Sequence, residues 1–363
     1  MISSSEFVSQ GHPDRTCDSI ASYVLDRYLE HDPKTRFALE VQMKDNVCNL
    51  AGEITSKWTP NQETIGEMAR IAIRKVGYNS KYASKWPEGA TLNADNVIVN
   101  NFIGQQSPDI AQGVDKEGWG DQGCFMGMAT NEPEYDYMPR DKYFANKIGT
   151  RLYKAALKGE APIGLDIKVL VSMDYSLVVE QVVVAAPMLE ENECQARAFI
   201  RDVVNKCLSE KGYACKQLMV NGTGAYVVHS TVGDAGVVGR KLAVDFYGLN
   251  CPIGGGTTWG KDGTKADVTL NLYARYRSLL TILRYPGKYN KVFTKVGCCI
   301  GQSECLVSQM DDKGQVLYEE SLNLIPSELT KKFGLDGSVP DMYWSLCENG
   351  LFHYVDKVAQ SNA

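Results

Sequence analysis

A chain of 363 residues is too long for one small core, so two or three domains are expected. Hydrophobic content of 44% and charged content of 23% are those of an ordinary soluble globular protein, and a net charge of −6 with scattered basic residues argues against a nucleic-acid or anionic-membrane partner. No apolar run reaches membrane-spanning length and the N-terminus has no signal-peptide pattern. Eleven cysteines without a CxxC read as free thiols of a reducing cytoplasm. With only four histidines, they also argue against a zinc or iron centre, so any metal is expected to be oxygen-bound, magnesium-like or an alkali cation.

Along the chain, Ile20, Val24, Leu25 and Tyr28 fall at helical spacing between Arg15 and Leu29, and Pro33 stops the run. Phe37, Leu39, Val41 and Met43 then alternate with polar or small residues, and KDN at 44–46 turns this strand back toward GEIT at 52–55. A second helix carries Ile65, Met68, Ala69, Ala72 and Val76 and closes at Gly77. The order helix, hairpin, helix returns at 144–156, 165–187 and 190–211. It returns again at 267–284, at 291–320 with a DDKG turn, and near 326–334. The expected fold class is therefore α/β (α+β), with three similar two-layer units, and the glycine-rich stretches 104–127 and 221–264 between them should hold the chemistry.

Five motifs stand out. In GHPD (11–14), Pro13 stiffens a turn and Asp14 can N-cap the following helix; a cap plus a satisfied turn histidine is the plain alternative to a functional His12. GDQG (120–123) sets Asp121 among glycines that permit close backbone approach, or is simply a turn. In Asp166-Ile167-Lys168 the two polar residues share a strand face, as an edge ion pair or as site residues. GDAGVVGRK (233–241) is too rich in glycine for a stable helix and brings Arg240 and Lys241 together. GGGTTWGKDGTKAD (254–267) joins backbone donors to Lys261 and Lys265, a phosphate cradle in physical terms that is not a Walker A loop. Glu40 and Glu53 are by default surface carboxylates. One histidine, several carboxylates and five cations flanked by glycine suit a magnesium polyphosphate better than acyl transfer.

GHPD, GEIT, QSPDIxQGVD, GDQG followed by ATNE, DxK, GDxGxxGRK and GGGxxxGKDxxK, in this order, resemble the methionine adenosyltransferase (S-adenosylmethionine synthetase) family, with the likeness running to about residue 320. The resemblance implies three similar α/β domains about a pseudo-threefold, divided as 1–10 with 132–229, 11–109 with 230–269, and 110–131 with 270–363. It implies a homodimer with shared active sites, commonly paired into a homotetramer, and a cytoplasmic enzyme. The implied reaction is attack of the methionine sulfur on ribose C5′ of ATP, release of triphosphate and its hydrolysis to phosphate and pyrophosphate. A degenerate nucleotide-binding regulator, or adenosyl transfer to another sulfur or selenium nucleophile, are the alternatives.

By the same resemblance, His12, Lys168, Arg240 and Lys261 are catalytic. ATP would be bound by these together with Asp166, Ala225, Tyr226, Asp234, Lys241 and Thr257, and methionine by Glu53, Gln106, Asp121, Asp234 and Lys265. Two Mg2+ ions per site would fall to Asp14 and Asp267, and K+ to Glu40. The chain departs from the family pattern at several points: Arg15 replaces a lysine, Trp119 enters GWGDQG, NGTG (221–224) lacks a proline, Thr257-Thr258-Trp259 replace Ala-Phe-Ser, and Val268-Thr269 replace Arg-Ser. None removes a charged catalytic position, so activity is expected. The loop exchange is expected to shift selectivity among methionine analogues, unless Trp259 merely packs beneath the loop.

Overall fold

The computed structural model describes residues 2–104, 117–174, 176–224 and 226–363, so the expectations for Gln106 and Ala225 lie outside the described residues. From the N-terminus, β1 (Ile2–Val8) leads into α1 (Pro13–His31), β2 (Arg36–Lys44), β3 (Val47–Thr55), α2 (Gln62–Val76), β4 (Ile98–Gly104) and β5 (Gly123–Thr130). There follow α3 (Arg140–Lys158), β6 (Lys168–Asp174), β7 (Val179–Ala185), α4 (Glu193–Ser209), β8 (Cys215–Val220) and the short β9 (Gly236–Val237). The chain continues through α5 (Ala266–Arg284), β10 (Lys291–Cys298), β11 (Glu304–Asp311) and β12 (Val316–Asn323) to helices at Pro326–Lys332, Met342–Asn349 and His353–Ser361.

Among the described residues these strands form three four-stranded sheets, ordered β1-β6-β7-β8, β4-β3-β2-β9 and β12-β11-β10-β5. The mixed α/β class and the threefold organisation expected from the sequence are both present. The first two sheets share one topology: an antiparallel hairpin (β6-β7 or β2-β3), an antiparallel edge strand, and a last strand running parallel (β8 beside β7, β4 beside β3). A parallel neighbour needs a crossover, and α4 and α2 supply it. The third unit differs from the expected single hairpin over 291–320. A turn at 299–303 joins β10 to β11, and DDKG instead joins β11 to β12, all antiparallel. There Asp311 Oδ1 accepts the Lys313 and Gln315 amides at 2.9 and 2.8 Å, closing the turn without a helix.

Alternation decides which face of each sheet is covered. Phe37, Leu39, Val41 and Met43 of β2 are buried with Cys48, Leu50 and Ile54 of β3 against Ile20, Val24 and Leu25 of α1 and Ala69, Ala72 and Ile73 of α2. The opposite face of that sheet carries Glu40, Gln42, Ala51 and Glu53, and Phe102 on it is 68% exposed.

α1 begins differently from expectation. Its N-cap is His12, whose Nδ1 accepts the Asp14 amide at 3.2 Å, with Pro13 in the first turn; Asp14 is not the cap. The Asp14 carboxylate is thereby free to leave the helix, and its Oδ1 accepts the Val237 amide of β9 at 2.8 Å.

Candidate functional site

The glycine-rich run 233–241 folds back onto the first turn of α1, and glycine permits the approach. A Cβ at Gly236 would stand 2.3 Å from the Pro13 carbonyl oxygen. As expected, no helix continues through it; Gly236 and Val237 pair with Met43 and Gln42 of β2. This delivers Arg240 and Lys241 to the buried Asp14: Arg240 Nε lies 3.0 Å from Asp14 Oδ1, and Lys241 Nζ is bonded to Asp14 Oδ2. Burial alone would raise the Asp14 carboxyl, but the Lys241 bond, the Val237 amide and the Lys241 charge together hold it below its ordinary value.

His12, 7% exposed, sits between these groups. Burial first, then the charge of Lys241 and, more weakly, Lys168, depress its pKa to about 3, against the raising effect of Asp14 and Asp234. The ring is neutral near pH 7. Because Nδ1 accepts from the Asp14 amide, its proton is assigned to Nε2, which is left as a fixed donor.

Asp166, Lys168 and Asp234 complete this group. Lys168 opens β6 and is exposed, while Leu165, Ile167 and Val169 are buried on the other face, as the alternation predicted. Asp166 Oδ2 accepts the Ser230 amide at 3.0 Å and its carbonyl accepts the Tyr226 hydroxyl at 2.8 Å. Burial pushes the Asp166 carboxyl up to about 7, against the Ser230 amide and Lys168.

The loop 254–267 forms a second cluster beside the first. Lys261 Nζ is 2.5 Å from Asp267 Oδ2, and Asp267 Oδ1 accepts the Gly256 amide at 2.7 Å. Lys265 pairs instead with Asp262 at 3.0 Å; Asp262 also accepts the Phe37 amide at 2.7 Å, pinning the loop to β2. The Thr257 side chain abuts Gly239, where the two glycine-rich runs meet.

The carboxylates expected farther afield are placed less tightly. Ala38 pairs with Glu53 on one side and bridges to Lys261 on the other, so Glu53 and Lys261 share a face of the second sheet, with Glu40 two residues along β2. Asp121 lies two residues before β5, exposed, its carboxylate accepting the Gln122 amide at 2.8 Å.

Two departures prove internal. Trp119 is fully buried, its backbone paired with Gln302 and Gly301, so it does not project beside Asp121 as a wall of the site. Trp259 is 2% exposed, and its indole N–H donates to Asp245 Oδ2 at 2.8 Å; it packs beneath the loop. Asp18 and Asp245 went unremarked in the sequence. Asp18 could have been found four residues after Asp14 on the same helical face, whereas Asp245 has no local signal.

Models of the S-adenosylmethionine synthetase N-terminal, central and C-terminal domains match residues 1–108, 116–226 and 228–354. The chain belongs to the S-adenosylmethionine synthetase family. The family match thus extends past residue 320, where the motifs thin out. The S-adenosylmethionine synthase of Wolinella succinogenes is 35% identical over 331 residues, covering 87% of this chain and 82% of that one. The synthase of Parvibaculum lavamentivorans is 37% identical over 328 residues, covering 87% and 81%. The structure described as an unusual S-adenosylmethionine synthetase from Campylobacter jejuni superposes with a TM-score of 0.86 at 28% identity, over 99% of this chain and 97% of that one. As a member of this family the chain is a methionine adenosyltransferase, forming S-adenosylmethionine from ATP and L-methionine.

Proposed function

We propose that the two clusters are the triphosphate half of the active site. The observation that carries this is the cap bond to His12 Nδ1, which leaves Nε2 to face outward from the turn amid Arg240, Lys241 and Lys168. As sulfur attacks C5′, negative charge grows on the departing oxygen, and a donor fixed before the reaction stabilises that charge more than the ground state. Arg240, Lys241, Lys168 and Lys261 would neutralise the phosphates. Tyr226 would stack on adenine near Ala225, with Asp166 and Thr257 alongside. Glu53, Gln106, Asp121, Asp234 and Lys265 would receive methionine. The released triphosphate would stay against the same cations while it is hydrolysed.

The donor set fits magnesium. Asp14 and Asp267 are single carboxylates with only oxygen to offer, and among the described residues they are not gathered into a group of three or more metal-binding side chains. Such an arrangement suits an ion that takes its remaining oxygens from phosphate and water. Asp14 and Asp267 would each hold one Mg2+ and Glu40 would hold K+; bound there, magnesium supplies charge neutralisation across the phosphate oxygens.

A homodimer, paired into a tetramer, is the assembly this reading favours, because Glu40, Glu53 and the exposed Phe102 share a face that a second copy could cover while presenting its Asp121. All eleven cysteines are free, which supports a cytoplasmic setting, and no helix among the described residues is long and apolar enough to cross a membrane. The test is incubation with ATP, methionine, magnesium and potassium, comparing the chain with His12→Ala. Sulfonium product from the wild type and near-absence from the variant are expected. Equal rates would overturn the site assignment.

A further inference from the structure

Two positions where this sequence leaves the family pattern, Arg15 and Trp259, touch each other in the interior. The Arg15 guanidinium lies 5.4 Å from the centroid of the Trp259 ring. Both engage one carboxylate: Arg15 Nη1 is 2.5 Å from Asp245 Oδ1, and Trp259 Nε1 donates to Asp245 Oδ2 at 2.8 Å. Arg15 also reaches Asp18 Oδ2 at 3.2 Å, and Asp18 Oδ1 accepts the Gly239 amide at 2.8 Å. The series Gly239, Asp18, Arg15, Asp245, Trp259 is unbroken, and each of its four side chains is at least nine-tenths buried.

Every link joins segments that carry site residues. Arg15 and Asp18 follow His12 and Asp14 on α1; Gly239 precedes Arg240 and Lys241; Trp259 stands two residues before Lys261. We propose that Arg15, Asp245 and Trp259 form an internal brace that sets the distance between the α1 first turn and the loop carrying Lys261, making Arg15 and Trp259 positioning residues for the triphosphate site. The proposal rests on the assignment of His12, Asp14 and Lys261 to that site.

The side-chain chemistry is specific. A serine at 259 has no side chain long enough to fill the space of an indole, and a lysine at 15 offers no planar group to lie over a ring while pairing with two carboxylates. The indole supplies the surface and the N–H, and the Arg15 guanidinium lies over it while its Nη1 meets both carboxylates. None of the three is among the groups assigned to substrate, so their influence on rate runs through the placement of His12 and Lys261, where small displacements weigh heavily.

The experiment compares Trp259→Phe, Arg15→Lys, the double variant and His12→Ala in the full chain. It measures kcat and methionine KM for sulfonium formation, hydrolysis of added inorganic triphosphate, and thermal melting. Trp259→Phe keeps a six-membered ring while removing the N–H with the rest of the pyrrole ring, and Arg15→Lys carries the test should it not fold. Each single variant is expected to lower kcat about tenfold with KM changed by less than about twofold, and triphosphate hydrolysis should fall in parallel. The double variant should be no worse than the poorer single, since both break one series. Lowered melting temperatures with unchanged kcat, or losses that multiply, would overturn the brace. A slow His12→Ala beside a wild-type Trp259→Phe rate would overturn the brace alone, whereas a fully active His12→Ala would overturn the site assignment beneath it.

Discussion

His12 Nδ1 accepts the amide hydrogen of Asp14, and that one bond does two things: it caps α1 and it commits the imidazole proton to Nε2. A histidine in a stiff turn is thus fixed in position and in tautomer before any substrate arrives.

Replacing His12 by alanine removes both functions. Loss of the cap should cost about 1 kcal/mol of stability, seen as a lower urea midpoint. Loss of the donor should lower kcat for sulfonium formation by about 10²–10³-fold, with added triphosphate still hydrolysed to some extent. Unimpaired synthesis would leave His12 as a cap only.

Ion dependence offers a second check. Asp14→Asn and Asp267→Asn should each raise the magnesium concentration needed for half-maximal rate, while Glu40→Gln should weaken activation by potassium over sodium. An identical potassium response in Glu40→Gln and wild type would remove Glu40 from the potassium site.

The burial of Trp259 changes what the loop exchange should do. Swapping residues 257–259 to Ala-Phe-Ser removes the bond to Asp245, so kcat/KM should fall for methionine and for its S-ethyl analogue by the same factor. The selectivity shift expected from sequence would require a loop floor in contact with the sulfur substituent. A changed ratio between the two substrates would restore that expectation.

His229 should set part of the acid limit of stability. It is 1% exposed, with Nε2 near the Tyr82 and Thr91 hydroxyls at 2.7 and 2.9 Å, and burial lowers its pKa from 6.5 to about 4 despite the Val227 carbonyl. The unfolded chain therefore binds this proton first. Its contribution is fully present above about pH 6.5 and is lost as pH falls toward 4, by at most about 1.4 kcal/mol per unit. His229→Gln should show a shallower decline of urea-unfolding free energy between pH 7 and 5. Parallel declines in the two proteins would contradict this.

Much of the molecule is local and was therefore legible along the chain. The alternation of Phe37 to Met43 defined β2 and its buried face, because side-chain direction in a strand follows from position alone. The crowding of glycines around Arg240, Lys241 and Lys261 marked where backbone would bend to bring these cations onto Asp14 and Asp267. What only the tertiary structure decided involves partners far apart in sequence. Asp14 could have capped its own helix, yet its carboxylate goes to an amide 223 positions away. Trp259 could have faced substrate, but a buried Asp245, itself paired with Arg15, draws the indole N–H inward. A buried polar group must find a partner wherever the fold brings one, and no local pattern names that partner in advance.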